Sequence, residues 1–158
     1  LIVGETVFPD QGLDAGAVEI AALPGDWPNG QFANFANEIA FVGYTLEPRG
    51  LAGGETLTAT LYWQVLAEPR HDYAIFAQVL DAGYNVWGSH DGGGITWTPG
   101  SVVTVTRQIT LLPNTPPGSY PVQVGLFHAE TGRLSVVAPD GHYLDERVLL
   151  GPIAVQGR

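Results

Sequence analysis

Residues 88 to 101, GSHDGGGITWTPGS, set a histidine beside a carboxylate, His90 and Asp91, then three glycines, then Trp97. A His-carboxylate pair serves acid-base or nucleophilic catalysis when both groups converge on a pocket and reach a nucleophile. Ser89 is adjacent, but consecutive strand residues point apart, and the chain has no Gly-x-Ser-x-Gly elbow. The glycines could offer N–H groups to an anion, yet a phosphate loop needs a strand before it, a helix after it and usually a lysine. This context does not supply them. The expectation is a non-catalytic connection between strands, turned by glycine, pinned by Trp97 and led into the next strand by Pro99-Gly100.

Metal chemistry has its own candidates. Asp81, Asn85, Asp91, Asp140 and Asp145 carry the hard oxygens that calcium prefers, but DAGYNVWGSHDG does not follow the EF-hand spacing, and Asp-Ala-Gly between strands already reads as a hairpin turn. His71, His128 and His142 are isolated, with no His-x-His or His-Glu-x-x-His spacing for zinc. Neither a metal nor any other cofactor is expected. The aromatic residues are the remaining lead, because an exposed ring face can stack on a sugar. Trp27, Tyr62, Trp87 and Trp97 are the candidates; Tyr62 lies on the polar face of its strand, and Trp87 and Trp97 bracket the glycine loop. Against this, tryptophan and tyrosine often pack part-buried with their polar tips bonded.

The elements that must position these groups are strands. From residue 38 the apolar pattern is short and two-periodic, punctuated by turn residues. In ETLTATLYWQV (55–65), Leu57, Ala59, Leu61, Trp63 and Val65 share one face, and Thr58, Thr60, Tyr62 and Gln64 share the other. The same reading gives strands over 38–46, 72–81, 84–89, 101–112, 119–128, 133–137 and 148–156, eight in all with no helix. Two packed antiparallel sheets follow, a sandwich of the immunoglobulin or fibronectin type III kind. The switch of apolar face from Ile39 and Phe41 to Tyr44 and Leu46 predicts a bulge at Gly43. Arg107, in phase with apolar neighbours, implies either a register slip or a guanidinium that finds an acceptor near the core edge, and the edge position is the expectation. Residues 1–37 read as an irregular segment packed on a sandwich core of 38–156, although 1–8 and 17–23 could be strands.

The chain of 158 residues fits one domain, and 45% hydrophobic residues with 14% charged ones describe a globular, turn-rich protein. A formal charge of −10 repels phosphate backbones and anionic lipid surfaces, so nucleic acid is not an expected partner. The absence of cysteine removes disulfides, thiolate ligands and cysteine nucleophiles. No apolar run approaches the roughly 20 residues a helix needs to cross a bilayer. The start LIVGETVFPD, with no methionine and no signal-peptide pattern, reads as a piece of a longer protein.

Several phrases together resemble a domain at the carboxyl end of bacterial multi-pass membrane proteins related to dolichyl-phosphate-mannose protein mannosyltransferases. They are ANFANEIAFVGYTLEP (33–48), GGETLTATLYWQV (53–65), DYAIFAQVLDA (72–82), WTPGSVV (97–103), LPNTPPGSYPVQVGLFHAETGRL (112–134) and LGPIAV (150–155). The resemblance implies a β-sandwich held outside the cytoplasmic membrane by a glycosyltransferase-like protein, with the rest of that chain as its partner. It carries over no catalytic residue, because that family's catalytic carboxylates lie in membrane-portion loops. In the same phrases, Tyr120 reads as the tyrosine of an immunoglobulin-type corner, and HAETGRL as a hairpin with Gly132 at a positive φ. The expected function is therefore a non-enzymatic extracytoplasmic accessory or interaction domain. The alternative is a carbohydrate-binding module using Trp97, Trp87 and Tyr62, which would require at least two of these rings to stand exposed and flank one another.

Overall fold

The computed structural model describes residues 27–157, so the apolar stretches at 1–8 and 17–23 lie outside the described residues. The strands are β1 (Ala33–Phe35), β2 (Ile39–Glu47), β3 (Gly50–Ala52), β4 (Thr56–Val65), β5 (Ala74–Leu80), β6 (Val86–Ser89), β7 (Val102–Thr110), β8 (Gly118–His128), β9 (Gly132–Arg133), β10 (Val136–Val137), β11 (Tyr143–Asp145) and β12 (Val148–Gln156). They form two sheets. The first has the order β11-β10-β1-β2-β4-β7, and the second β3-β12-β8-β5-β6 with β9 added beside β8. All pairings are antiparallel except that of β3 with β12. Among the described residues there is no helix, and hence none long and apolar enough to cross a membrane.

The expected all-β sandwich is present, but the expected eight strands become twelve among the described residues. Three of the additions, β1, β3 and β11, are three residues long and too short to show an alternation. The fourth arises because the single strand expected at 133–137 divides: β9 pairs with β8 in the second sheet, while β10 pairs with β1 in the first. β1 also gives order to part of the segment expected to be irregular.

Alternation determines which side chains fill the space between the sheets. Along β4, Leu57, Ala59, Leu61, Trp63 and Val65 are buried, while Thr58, Thr60, Tyr62 and Gln64 are half-buried on the outer face. From the second sheet, Ile75, Ala77 and Val79 of β5 and Val122, Val124 and Leu126 of β8 meet them. Tyr120 is buried, and its hydroxyl donates to the Pro116 carbonyl at 2.5 Å, the corner geometry expected for it. Gly132 takes φ 81° in the β8–β9 hairpin. Arg107 lies on β7, the edge strand of the first sheet, and its Nη2 donates to the Gly92 carbonyl at 3.0 Å.

The bulge on β2 falls where the face switch predicts it. The register with β4 shifts between Phe41 and Gly43, which lets Ile39 and Phe41 on one side and Tyr44 and Leu46 on the other all reach the core. Residues 28–31 lie along the bulge, with the Tyr44 N–H donating to the Pro28 carbonyl at 2.9 Å and the Gln31 N–H to the Val42 carbonyl at 3.2 Å. A Cβ at position 43 would stand 2.6 Å from the Trp27 Cβ and 2.7 Å from the Pro28 oxygen. One of those neighbours is backbone, so the overlap cannot be relieved by a rotamer change. Gly43→Ala is expected to destabilise the fold by about 1–3 kcal/mol in urea denaturation, the usual cost of overpacking.

Candidate functional site

The loops at one end of the sandwich build an open concavity. β2 begins there and β4 ends there, side by side through the Ile39–Val65 pair; β5 begins there beside the end of β8. Residues 68–72, between β4 and β5, and 94–97, ahead of β7, enclose an open groove of about 620 Å³. Glu68, Arg70, His71, Asp72 and Thr96 supply its polar walls, with Pro69, Ile95 and Trp97 completing the lining.

Glu38 holds this groove in shape. Its side chain is buried, and the carboxylate accepts from the Arg70 backbone N–H at 2.9 Å, from Arg70 Nε at 3.0 Å and from the Tyr73 hydroxyl at 2.9 Å. Its backbone carbonyl takes the N–H groups of Leu66 and Ala67 at 2.8 and 3.2 Å. Burial, reinforced by the adjacent Glu38 carboxylate, pushes the Tyr73 hydroxyl up to about 12. Tyr73 in turn holds Trp97, whose Nε1 donates to the Tyr73 carbonyl at 3.0 Å. The Trp97 ring meets Trp63 edge-on, with centroids 6.1 Å apart and planes at 82°. One run of contacts therefore leads from the groove wall into the core.

His71 and His128 come together beside this wall although they are far apart in sequence. Their centroids are 4.6 Å apart with planes at 32°, and His71 also packs against Tyr73 at 6.0 Å. The imidazole lone pairs lie in the ring planes, so this tilted face-to-face packing does not aim them at a shared metal. His142 bonds its neighbour Asp140 instead. Among the described residues no three metal-ligating side chains gather at one point.

His90 and Asp91 face different strands. The His90 Nδ1 lies 3.0 Å from the Gln108 carbonyl on β7, an oxygen that can only accept, so the hydrogen sits on Nδ1. Asp91 turns to β5, where its Oδ1 accepts from the Ala77 N–H at 3.2 Å and its Oδ2 from Gln78 Nε2 at 3.4 Å. The two groups do not form a dyad. Gly92 also spends its N–H on the Ile75 carbonyl at 2.9 Å, in a bridge returned at 2.8 Å, which removes that donor from any anion.

Asp81 and Asn85 do lie together, as turn residues. Asp81 Oδ1 accepts from the Gly83 and Asn85 N–H groups at 2.8 and 3.0 Å, and its Oδ2 from Asn85 Nδ2 at 3.0 Å and Trp87 Nε1 at 2.9 Å. These donors, the indole N–H foremost, hold its carboxyl down at about 2. Oxygens so occupied are poorly placed to ligate calcium. Asp145 pairs locally with the Glu146 N–H at 2.7 Å.

Of the four aromatic candidates, Trp27 and Tyr62 lie together, and Trp87 and Trp97 lie apart from them. Trp97 is 7% exposed, its N–H committed to Tyr73. Trp87 is half-buried on β6, packed on the core with its N–H on Asp81. Tyr62 lies on the outer face of β4, opposite the face that carries Trp63 and Trp97, with Trp27 at 5.6 Å. Among the described residues the most exposed aromatic is Tyr84, 68% accessible, with the Arg147 guanidinium 5.2 Å from its centroid.

Sequence reading missed two constellations. One is the Glu38, Arg70 and Tyr73 network, whose members are 32 and 35 positions apart. The other is a polar row across the outside of the second sheet: Arg147 Nη1 donates to Gln123 Oε1 at 3.0 Å, and Gln123 Nε2 to Gln78 Oε1 at 2.6 Å, next to Asp91. The one available signal was polar residues at mid-strand positions in otherwise apolar β5 and β8. No protein-family model matches this chain, and no curated protein matches it either.

Two pH effects follow. The folded state keeps the Tyr73 proton that the unfolded chain, with its ordinary value of 10.0, loses first, so this contribution is intact below pH 10 and disappears as pH rises through about 12. In ultraviolet titration one phenol is expected to ionise last, and to vanish from the trace in Tyr73→Phe. For Asp81 the sign reverses: its contribution is present above its ordinary 3.8 and is lost as pH falls through about 2. Urea midpoints of Asp81→Asn are expected to fall less steeply with acid across that window than those of the parent.

Proposed function

We propose that this chain is a non-catalytic accessory domain, carried outside the cytoplasmic membrane by a larger glycosyltransferase-like membrane protein. The observation that supports the non-catalytic part most directly is the opposed orientation of His90 and Asp91, each committed to a different strand. The membrane setting rests on the order and spacing of the quoted phrases, and most of those phrases coincide with strands and corners of the sandwich. The Tyr120 to Pro116 bond supports placing the sandwich among immunoglobulin-type folds, where a tyrosine at a strand corner bonds upstream backbone. A groove walled by rigidly held loops suits the end of such a domain for contact with another molecule.

The second reading, carbohydrate binding, draws support from the groove and less from the rings of Trp97, Trp87 and Tyr62. The location is tested by proteolysis of intact spheroplasts from the source cells, followed with an antibody to this domain. Digestion without lysis is the expected result. Protection until the membrane is breached would overturn the extracytoplasmic assignment.

A further inference from the structure

We propose that the groove between residues 68–72 and 94–97 is a binding site for a neutral carbohydrate about the size of a mono- or disaccharide. The inference deepens the carbohydrate reading and is independent of the membrane setting. Its volume of about 620 Å³ falls within the range of small-ligand sites. The decisive feature is how the polar groups are mixed along the wall.

Arg70 is held at its inner edge and free at its outer one. Its backbone N–H and Nε are taken by Glu38, yet 74% of the side chain is exposed, so the terminal nitrogens remain donors at a defined place. A guanidinium immobilised in this way has already lost much of the rotamer freedom that binding would otherwise remove. Its charge is answered by the Glu38 carboxylate at 3.0 Å. Glu68 and Asp72 line the same groove as acceptors, and Thr96 adds a hydroxyl that both gives and takes.

Ligand charge decides the class. An anion would meet an arginine already neutralised by Glu38 and two further carboxylates in the same wall, within a chain of net charge −10. A cation would meet the Arg70 guanidinium. A sugar hydroxyl both donates and accepts, so a vicinal pair can bond a guanidinium nitrogen and a carboxylate oxygen together without leaving a charge unmatched. Trp97 lies beneath as floor, not as a stacking platform, and Ile95 and Pro69 supply apolar surface for the C–H face of a ring. The backbone at Gly94 carries no side chain, and a Cβ there would meet nothing within 4 Å, so that wall is open to an approaching ring.

The test is titration of the purified chain with a panel of neutral mono- and disaccharides, built on mannose, glucose, galactose and N-acetylglucosamine, read by tryptophan fluorescence and calorimetry. Saturable binding of at least one is expected, weakened about tenfold or more in Asp72→Asn and in Thr96→Val, since each removes a bond to the ligand. Neither change touches the Glu38 network, and unchanged urea midpoints would show the fold retained. Trp87→Phe and Tyr62→Ala are expected to bind as the parent does. Binding that survives both groove changes but is lost in Trp87→Phe or Tyr62→Ala would overturn the groove and leave the carbohydrate reading standing. Flat titrations across the panel would overturn both. Tighter binding of glucuronate or of a lysine-rich peptide than of any neutral sugar would overturn the ligand class.

Discussion

A single carboxylate removed from water organises one end of this protein. Glu38 immediately precedes β2, a central strand of the first sheet, and it must be satisfied where it is buried, because an unpaired interior carboxylate costs several kcal/mol. The groups that satisfy it belong to the chain on its way to the second sheet: Arg70 in the connecting loop and Tyr73 immediately before β5. The loop cannot relax without leaving the Tyr73 hydroxyl buried and unbonded, a loss of about 1–3 kcal/mol by itself. The groove is thus a by-product of an electrostatic necessity.

The same logic closes one long side of the sandwich. β7 ends the first sheet and β6 the second, and an open edge exposes unpaired backbone groups to other chains. Here His90 covers the Gln108 carbonyl, Arg107 reaches the Gly92 carbonyl and the Leu112 N–H donates to the Trp87 carbonyl at 2.8 Å. Residues that look chemical in the sequence are therefore occupied in joining edges. Arg107 remains imperfectly served, with its Nε buried and unbonded. Burial accordingly lowers its affinity for the proton, while the nearby Asp91 works in the opposite direction.

How legible each feature was depended on how many residues repeat its signal. β4 repeats its inward pattern over ten residues, and every inward position it marks is buried. The bulge at Gly43 was legible for the same reason, since a break in a long alternation is itself a signal. β1, β3 and β11 were not, because three residues hold barely one alternation. Segment 133–137 misled because its pattern is continuous while its two ends pair with different sheets. Trp97 is buried with its N–H on Tyr73, as a residue pinning the loop should be, whereas the carbohydrate alternative chose Trp97, Trp87 and Tyr62 on residue type, which does not say which way a ring turns.

The sequence by itself determined the all-β class, the inward faces of the long strands, the corner at Tyr120 and the edge placement of Arg107. These depend on local sterics and on a two-residue period, which neighbouring residues encode among themselves. Only the tertiary structure decided that Glu38, Arg70, Tyr73 and Trp97 form one connected wall, that His90 and Asp91 part company, and that Tyr62 and Trp97 occupy opposite faces of a sheet. Such relations depend on strand order and loop closure. Those are settled by the packing of the whole core, through contacts between residues dozens of positions apart that no local pattern records.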